Sequence, residues 1–128
     1  SYVIGHSNNN QLVFETFDRA VNENPEAHPL FHSDRGFQYT SPSFKSKLRE
    51  AEMTQSMSRV GKCIDNGPME GFWGIVKSEM YYLSKFNTYD ELKAAIDEFI
   101  YFYNNERLQS GLGGMSPIEY RESLPKVA

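Results

Sequence analysis

The stretch DNGPMEGFWGIVKSEM, residues 65–80, decides the predicted fold because it contains both the start and the apolar face of a helix. Asn66 or Gly67 is suited to cap this helix, and Pro68 to its first position. At about 100° per residue, the large apolar side chains fall on one stripe of the helix: Met69, Phe72, Val76, Met80 and Leu83. This stripe predicts that one face of the helix is buried.

Glu70 lies off the apolar stripe, on a face that it shares with Gly74 and Lys77. An acid in the first turn also stabilises a helix through its dipole, by about 0.3–1 kcal/mol, so Glu70 alone does not demonstrate a site. Its assignment to a site therefore depends on a second functional group elsewhere in the chain.

Strands and helices alternate on both sides of this stretch. Short apolar runs predict strands at 2–6, 30–34 and 53–58. Helical spacing and capping residues predict helices at 9–22, 42–51, 68–83 and 88–103, and a last helical turn from 117. This order predicts an α/β fold with a partly parallel sheet.

Composition limits the possible classes of protein. The chain has 128 residues, 14% aromatic and 39% hydrophobic, which predicts one globular domain. No apolar run approaches the roughly 18 residues that span a bilayer, and no signal-peptide pattern opens the chain. The single Cys63 excludes an internal disulfide. We therefore expect a cytoplasmic protein without a membrane partner.

Charge is unevenly distributed along the chain. The net charge is −4, but residues 35–62 contain six basic and two acidic side chains, a local net charge of +4. Such a segment can bind phosphate even in an acidic protein, although a solvated helix face gives the same count.

Asp34 is the candidate partner for Glu70. It ends the predicted strand 30–34 and is followed closely by Gly36. In open α/β sheets, sites form at the carboxyl ends of strands, which is where a catalytic carboxylate is expected. Asp34 alone is equally suited to form a turn.

Three segments together resemble one family: HSDRGFQYTS (32–41), SMSRVGKCIDNGPMEGFWGIVKSE (56–79) and YNNERLQSGLGGMSPIEY (103–120). They are similar to the catalytic core of insertion-sequence transposases related to retroviral integrases, the D,D,E recombinases. The last two acids of that family are about 35 residues apart. The resemblance extends from residue 1 to about residue 122, so residues 1–122 are interpreted as the core and 123–128 as a tail.

The resemblance implies an RNase H-like fold, as in the retroviral integrase core, with Mg2+ or Mn2+ as cofactor in a two-metal site. It assigns Asp34 and Glu70 as the second and third catalytic, metal-binding acids. The implied reaction is DNA phosphodiester cleavage and strand transfer, with transposon ends and target DNA as partners. Lys77 matches a lysine that faces DNA in integrases. The other expected DNA contacts are Arg35, Ser58, Arg59, Lys62, Asn66 and Arg107.

The sequence departs from the family pattern at two points. The first acid of the family has no counterpart before Asp34, where the sole aspartate is Asp18 within a predicted helix. We therefore expect a core truncated at its N-terminus, inactive or nearly so by itself. Such a core would pair its strand edges in a homo-oligomer, with exchanged elements as one route. Gln109 stands where the family usually has histidine.

Two other functions remain open from the sequence. One is an RNase H-like nuclease, which would differ from a transposase in its product. The other is a non-catalytic remnant that dimerises or binds DNA. The resemblance places the intact protein in a bacterial cytoplasm, associated with the nucleoid.

Overall fold

The computed structural model describes residues 1–125, apart from the side chain of Cys63, and divides them into two compact units. The first unit comprises residues 1–70 and the second begins at Gly71, so the helix that carries Glu70 spans the boundary. The predicted domain limits, 1–122 and 123–128, stay predictions, and residues 126–128 of that tail lie outside the described residues.

The first unit is an α/β arrangement. Its elements are α1 (Asn10–Glu23), β1 (Phe31–Ser33), α2 (Phe37–Thr40), α3 (Pro42–Glu50) and β2 (Gln55–Met57). Strands β1 and β2 are parallel, with Phe31 opposite Gln55 and Ser33 opposite Met57. Parallel strands need a crossover, and here α2 and α3 supply it. The predicted α/β class with a parallel sheet is confirmed at this level.

Local capping explains where the helices of this unit begin. The side chain of Asn9 accepts a hydrogen bond from the backbone N–H of Leu12 at 2.9 Å and caps α1. Ser41 caps α3 in the same way through the N–H of Phe44, and Pro42 occupies the first turn. Both helices therefore begin within one residue of their predicted starts.

An aromatic cluster forms the core of the first unit. Phe44 is fully buried, and its ring centroid lies 5.3 Å from that of Phe17 and 5.2 Å from that of Phe31. Tyr39 adds an edge contact to Phe44 at 5.4 Å. Phe44 therefore holds α1, β1 and α3 together, which fixes the strand that precedes Asp34.

The second unit is helical. Its elements are the remainder of α4 (Gly67–Glu79), α5 (Tyr89–Asn105) and α6 (Pro117–Ser123), with 3₁₀ turns at Tyr81–Leu83 and Ser110–Leu112. Phe99 is buried on α5, and α5 packs against α6. Ser116 and Glu119 form a complete capping box at the start of α6. At the start of α5, the side chain of Thr88 accepts a hydrogen bond from the N–H of Glu91. The carboxylate of Glu91 in turn accepts a hydrogen bond from the N–H of Asn87.

Two predicted elements are wrong. Residues 2–6 form no strand; instead Nη1 of Arg19 on α1 donates a hydrogen bond to the carbonyl of Tyr2, so a side chain binds this backbone. Helix α4 ends at Glu79, and the predicted continuation to Leu83 is a separate 3₁₀ turn.

The predicted apolar stripe of α4 is buried only in part. Val76 is buried, and Phe72 is half-buried with its ring edge-to-face on Tyr103 at 5.0 Å. Met69 is exposed, and so is Trp73. Each residue turns an α-helix by about 100°, so Trp73 occupies a different face of α4 from Phe72. Within residues 1–125, no helix is both long and apolar enough to cross a membrane.

Candidate nucleic-acid and metal site

Asp34 directly follows β1, at the carboxyl end of the parallel strand pair. It is exposed, and its Oδ1 accepts a hydrogen bond from the backbone N–H of Gly36 at 2.8 Å. A Cβ atom at Gly36 would lie 3.0 Å from this Oδ1, so the lack of a side chain there leaves room for the carboxylate. The turn therefore orients Asp34 while its second oxygen stays available to a ligand.

The residue that follows β2 is hydrogen-bonded to the residue just before Asp34. The N–H of Ser58 donates to the carbonyl of Ser33 at 2.9 Å, which continues the sheet one residue beyond the strands. Nε of Arg35 donates to the carbonyl of Ser58, also at 2.9 Å. These two bonds fix the backbone around Ser58 next to Asp34.

Ser58 itself is buried, with its hydroxyl near Nε2 of His32 at 3.3 Å and the carbonyl of Ser33 at 3.4 Å. Nδ1 of His32 lies 3.0 Å from the hydroxyl of Ser56. His32 is exposed and lies between these two serines. The DNA contact expected of Ser58 stays a prediction, and its side chain would first have to leave these internal partners.

Asp65 binds Arg59 with both carboxylate oxygens. Oδ2 accepts the backbone N–H and Nε–H of Arg59, both at 2.9 Å, and Oδ1 accepts Nη2–H at 2.8 Å. These bonds hold the pKa of Asp65 well below its usual range and raise the pKa of Arg59. The carboxylate of Asp65 therefore points back to the loop.

Glu70 lies in the first turn of α4, and its side chain is exposed. Asn66 is half-buried in the 3₁₀ turn Cys63–Asn66, which leads directly into this helix. Lys62 and Lys77 are both exposed. Seven residues are close to two helical turns, so Glu70 and Lys77 occupy the same face of α4.

Arg107 binds an acid that the sequence did not indicate. Its guanidinium donates from Nε and Nη2 to the carboxylate of Glu79, and its Cζ lies 5.6 Å from the ring centroid of Tyr103. The hydrogen bonds to Arg107 lower the pKa of Glu79, and those to Glu79 raise the pKa of Arg107. The DNA contact expected of Arg107 stays a prediction.

The donor chemistry of Asp34 and Glu70 suits a hard divalent cation. Both provide carboxylate oxygens on exposed side chains, and Mg2+ is commonly held by one or two carboxylates with water and substrate phosphate completing its shell. Among residues 1–125, Cys63 excepted, no cluster of three or more His, Cys, Asp or Glu side chains converges on a metal position. The two predicted acids thus fit the ion in type, and the roles of both remain predictions.

Two comparisons with known proteins bear on this site. The family described as "Integrase core domain" matches residues 70–124, so the match begins at Glu70. Residues 1–69, which contain Asp34, lie outside that match.

Relatives of the whole chain come from bacterial insertion elements. A protein of Escherichia coli K12 named as a transposase of insertion sequence IS150 is 43% identical over 91% of this chain. A transposase-like protein of Haemophilus influenzae is 40% identical over 94% of the chain, and a protein of insertion element IS600 of Shigella sonnei is 37% identical over 99%. The chain covers 42%, 56% and 47% of these three proteins, about half of their length.

Proposed function

We propose that this chain belongs to the insertion-sequence transposases with an integrase core domain and forms part of a catalytic core for DNA transposition. The proposed reaction is metal-dependent cleavage of DNA phosphodiester bonds followed by strand transfer. The observation that carries it is the position of Asp34. An exposed carboxylate stands at the carboxyl end of a parallel strand, and 35 residues separate it from an exposed glutamate at a helix start.

Asp34 and Glu70 are the residues that we propose to hold Mg2+ or Mn2+. When bound, the cations activate the attacking oxygen and stabilise the leaving oxygen at the phosphate. The hydrogen bond from Gly36 orients Asp34, and the first turn of α4 presents Glu70. A third acid would come from sequence that the longer relatives carry beyond the matched half. We propose the RNase H-like arrangement for the complete core on the same grounds.

Exposed basic side chains would hold the DNA backbone. Arg35, Lys62 and Lys77 are exposed, and each can neutralise a phosphate. We propose transposon ends and target DNA as the partners and the bacterial nucleoid as the place of action.

A homo-oligomer is also proposed. Within residues 1–125 the sheet has two strands, so each has one outer edge that an added strand can pair with. Light scattering on the concentrated chain measures this, and a monomer throughout would contradict it.

Calorimetric titration with Mn2+ tests the metal site. We expect binding by the unmodified chain to be lost or weakened in Asp34→Asn and in Glu70→Gln. Glu98→Gln is the matched control, because Glu98 is an exposed acid on α5. Equal heats for all four proteins would remove both acids from the proposed site.

A further inference from the structure

The connection between β2 and α4 is closed by the ion pair of Arg59 and Asp65, here called the clasp. One carboxylate receives three N–H groups from one residue, at 2.9, 2.9 and 2.8 Å. A bidentate arginine–carboxylate pair is among the stronger charged hydrogen-bond arrangements and fixes geometry as well as charge. The clasp therefore joins the two ends of a seven-residue loop.

Apart from Cys63, whose side chain is not described, the apolar side chains of this loop are exposed. Val60 is 81% exposed and Ile64 is 77% exposed, so neither apolar side chain packs against the unit. Gly61 adopts a positive φ of 69°, and a Cβ atom added there would meet nothing within 4 Å. Backbone bonds from Lys62 to Arg59 and from Asp65 to Lys62 are local to the loop. The clasp is the contact that sets the distance between the loop's ends.

Both ends of the loop lead to the proposed metal ligands. On one side, Arg59 follows Ser58, whose N–H binds the carbonyl of Ser33, the neighbour of Asp34. On the other side, Asp65 lies in the 3₁₀ turn that runs directly into α4, where Glu70 occupies the first turn. A continuous path of bonded groups thus connects Asp34 to Glu70 through the clasp.

We propose that Arg59 and Asp65 are positioning residues that hold the start of α4, and with it Glu70, relative to the strand end that carries Asp34. This deepens the proposed function, because it assumes that Glu70 is a metal ligand there. The side chain of Asp65 is 19% exposed and that of Arg59 is 72% exposed, so the guanidinium covers the carboxylate from the solvent side. The main role of Arg59 is then internal, in place of the DNA contact expected from the sequence.

Amide hydrogen exchange measured by NMR tests the clasp without metal or DNA. In Asp65→Asn and in Arg59→Lys, we expect the amides of residues 59, 63–67, 69 and 70 to exchange about tenfold faster or more. Arg59→Lys keeps the charge but loses the bidentate geometry, so wild-type exchange in that variant would overturn the proposal. Lys93→Gln, which removes an exposed ion pair on α5, is the control and should leave these amides unchanged.

Mn2+ then separates positioning from a purely structural role. Paramagnetic broadening of the Glu70 amide should require about tenfold more Mn2+ in both clasp variants, with melting temperatures close to wild type. If the unmodified chain and Glu70→Gln bind Mn2+ alike, the proposed metal site is contradicted. The hydrogen-exchange experiment still tests whether the clasp holds the start of α4, because it uses no metal.

DNA binding distinguishes the competing role of Arg59. If Arg59 acts mainly on phosphate, Asp65→Asn frees its guanidinium. Affinity for a duplex oligonucleotide then rises, while amide exchange at residues 67, 69 and 70 stays at the wild-type rate. That combination would overturn the proposal. Faster exchange without a gain in DNA affinity supports it.

Discussion

The guanidinium of Arg107 donates two hydrogen bonds to the carboxylate of Glu79, from Nε at 2.8 Å and from Nη2 at 2.5 Å. The pair joins the last residue of α4 to the segment after α5, within the second unit. Tyr103 adds a ring near the guanidinium. An arginine held in this way stabilises the fold first, and a DNA phosphate would have to compete with Glu79 for it.

Arg107→Ala should therefore destabilise the chain. We expect a loss of about 0.5–1 kcal/mol in the free energy of unfolding, at the scale of partly exposed pairs because the Glu79 side chain is 37% exposed. Loss of the contact with Tyr103 adds to this. Urea unfolding followed by circular dichroism measures the difference. Lys93→Gln removes a more exposed pair, so an equal loss in that control would contradict a special role for Arg107.

Acid should remove the contribution of Glu79. Its pKa lies below the ordinary value of 4.5 in the folded chain, because Arg107 stabilises the charged form. The pair therefore adds stability at pH values above 4.5 and loses it as the pH falls through the lower, folded pKa. Melting temperatures of wild type and Glu79→Gln should differ near neutral pH and converge in acid. A difference that widens in acid would show the opposite linkage.

Phe44→Ala should be among the most destabilising substitutions in the first unit. Phe44 is fully buried between Phe17, Phe31 and Tyr39, so truncation leaves a cavity among aromatic rings. We expect a loss of about 3–5 kcal/mol in the free energy of unfolding, measured in urea. Phe37→Ala is the matched control, since Phe37 is 66% exposed. Similar losses in both variants would mean that the cluster is not the core.

The sequence predicted those elements that are determined locally. Asn9 and Ser41 cap α1 and α3 through hydrogen bonds to residues three positions ahead, and such spacing is visible in a single sequence. The strand before Asp34 was found for a similar reason, since a short apolar run between turn residues is a local signal. The positions of Asp34 and Glu70 on their elements follow from these features.

The partners of charged side chains could not be predicted in the same way. Arg107 and Glu79 are 28 residues apart, and no periodicity links them. Asp65 and Arg59 are six residues apart, and the segment between them contains neither an α-helix nor a strand, so neither helical nor strand spacing applies. Both arginines were expected at DNA because charge is visible in a sequence while its neutralising partner is not. The clasp is consequently the feature of the candidate site that only the structure reveals.

Lys77 should be a DNA contact that can be separated from the other lysines. It is exposed on the face of α4 that carries Glu70, whereas the ammonium of Lys93 lies 2.7 Å from the carboxylate of Asp97. Each phosphate contact contributes about 0.9 to the slope of log K against log salt concentration, so Lys77→Ala should weaken duplex binding and reduce that slope by about this amount. Fluorescence anisotropy over about 50–200 mM salt measures both quantities.

Lys93→Ala is the control for Lys77→Ala and should leave the slope unchanged, because the charge of Lys93 is already compensated within α5. Equal effects of the two substitutions would mean that DNA responds to the overall charge of the chain, and Lys77 would then lose its assignment as a specific contact.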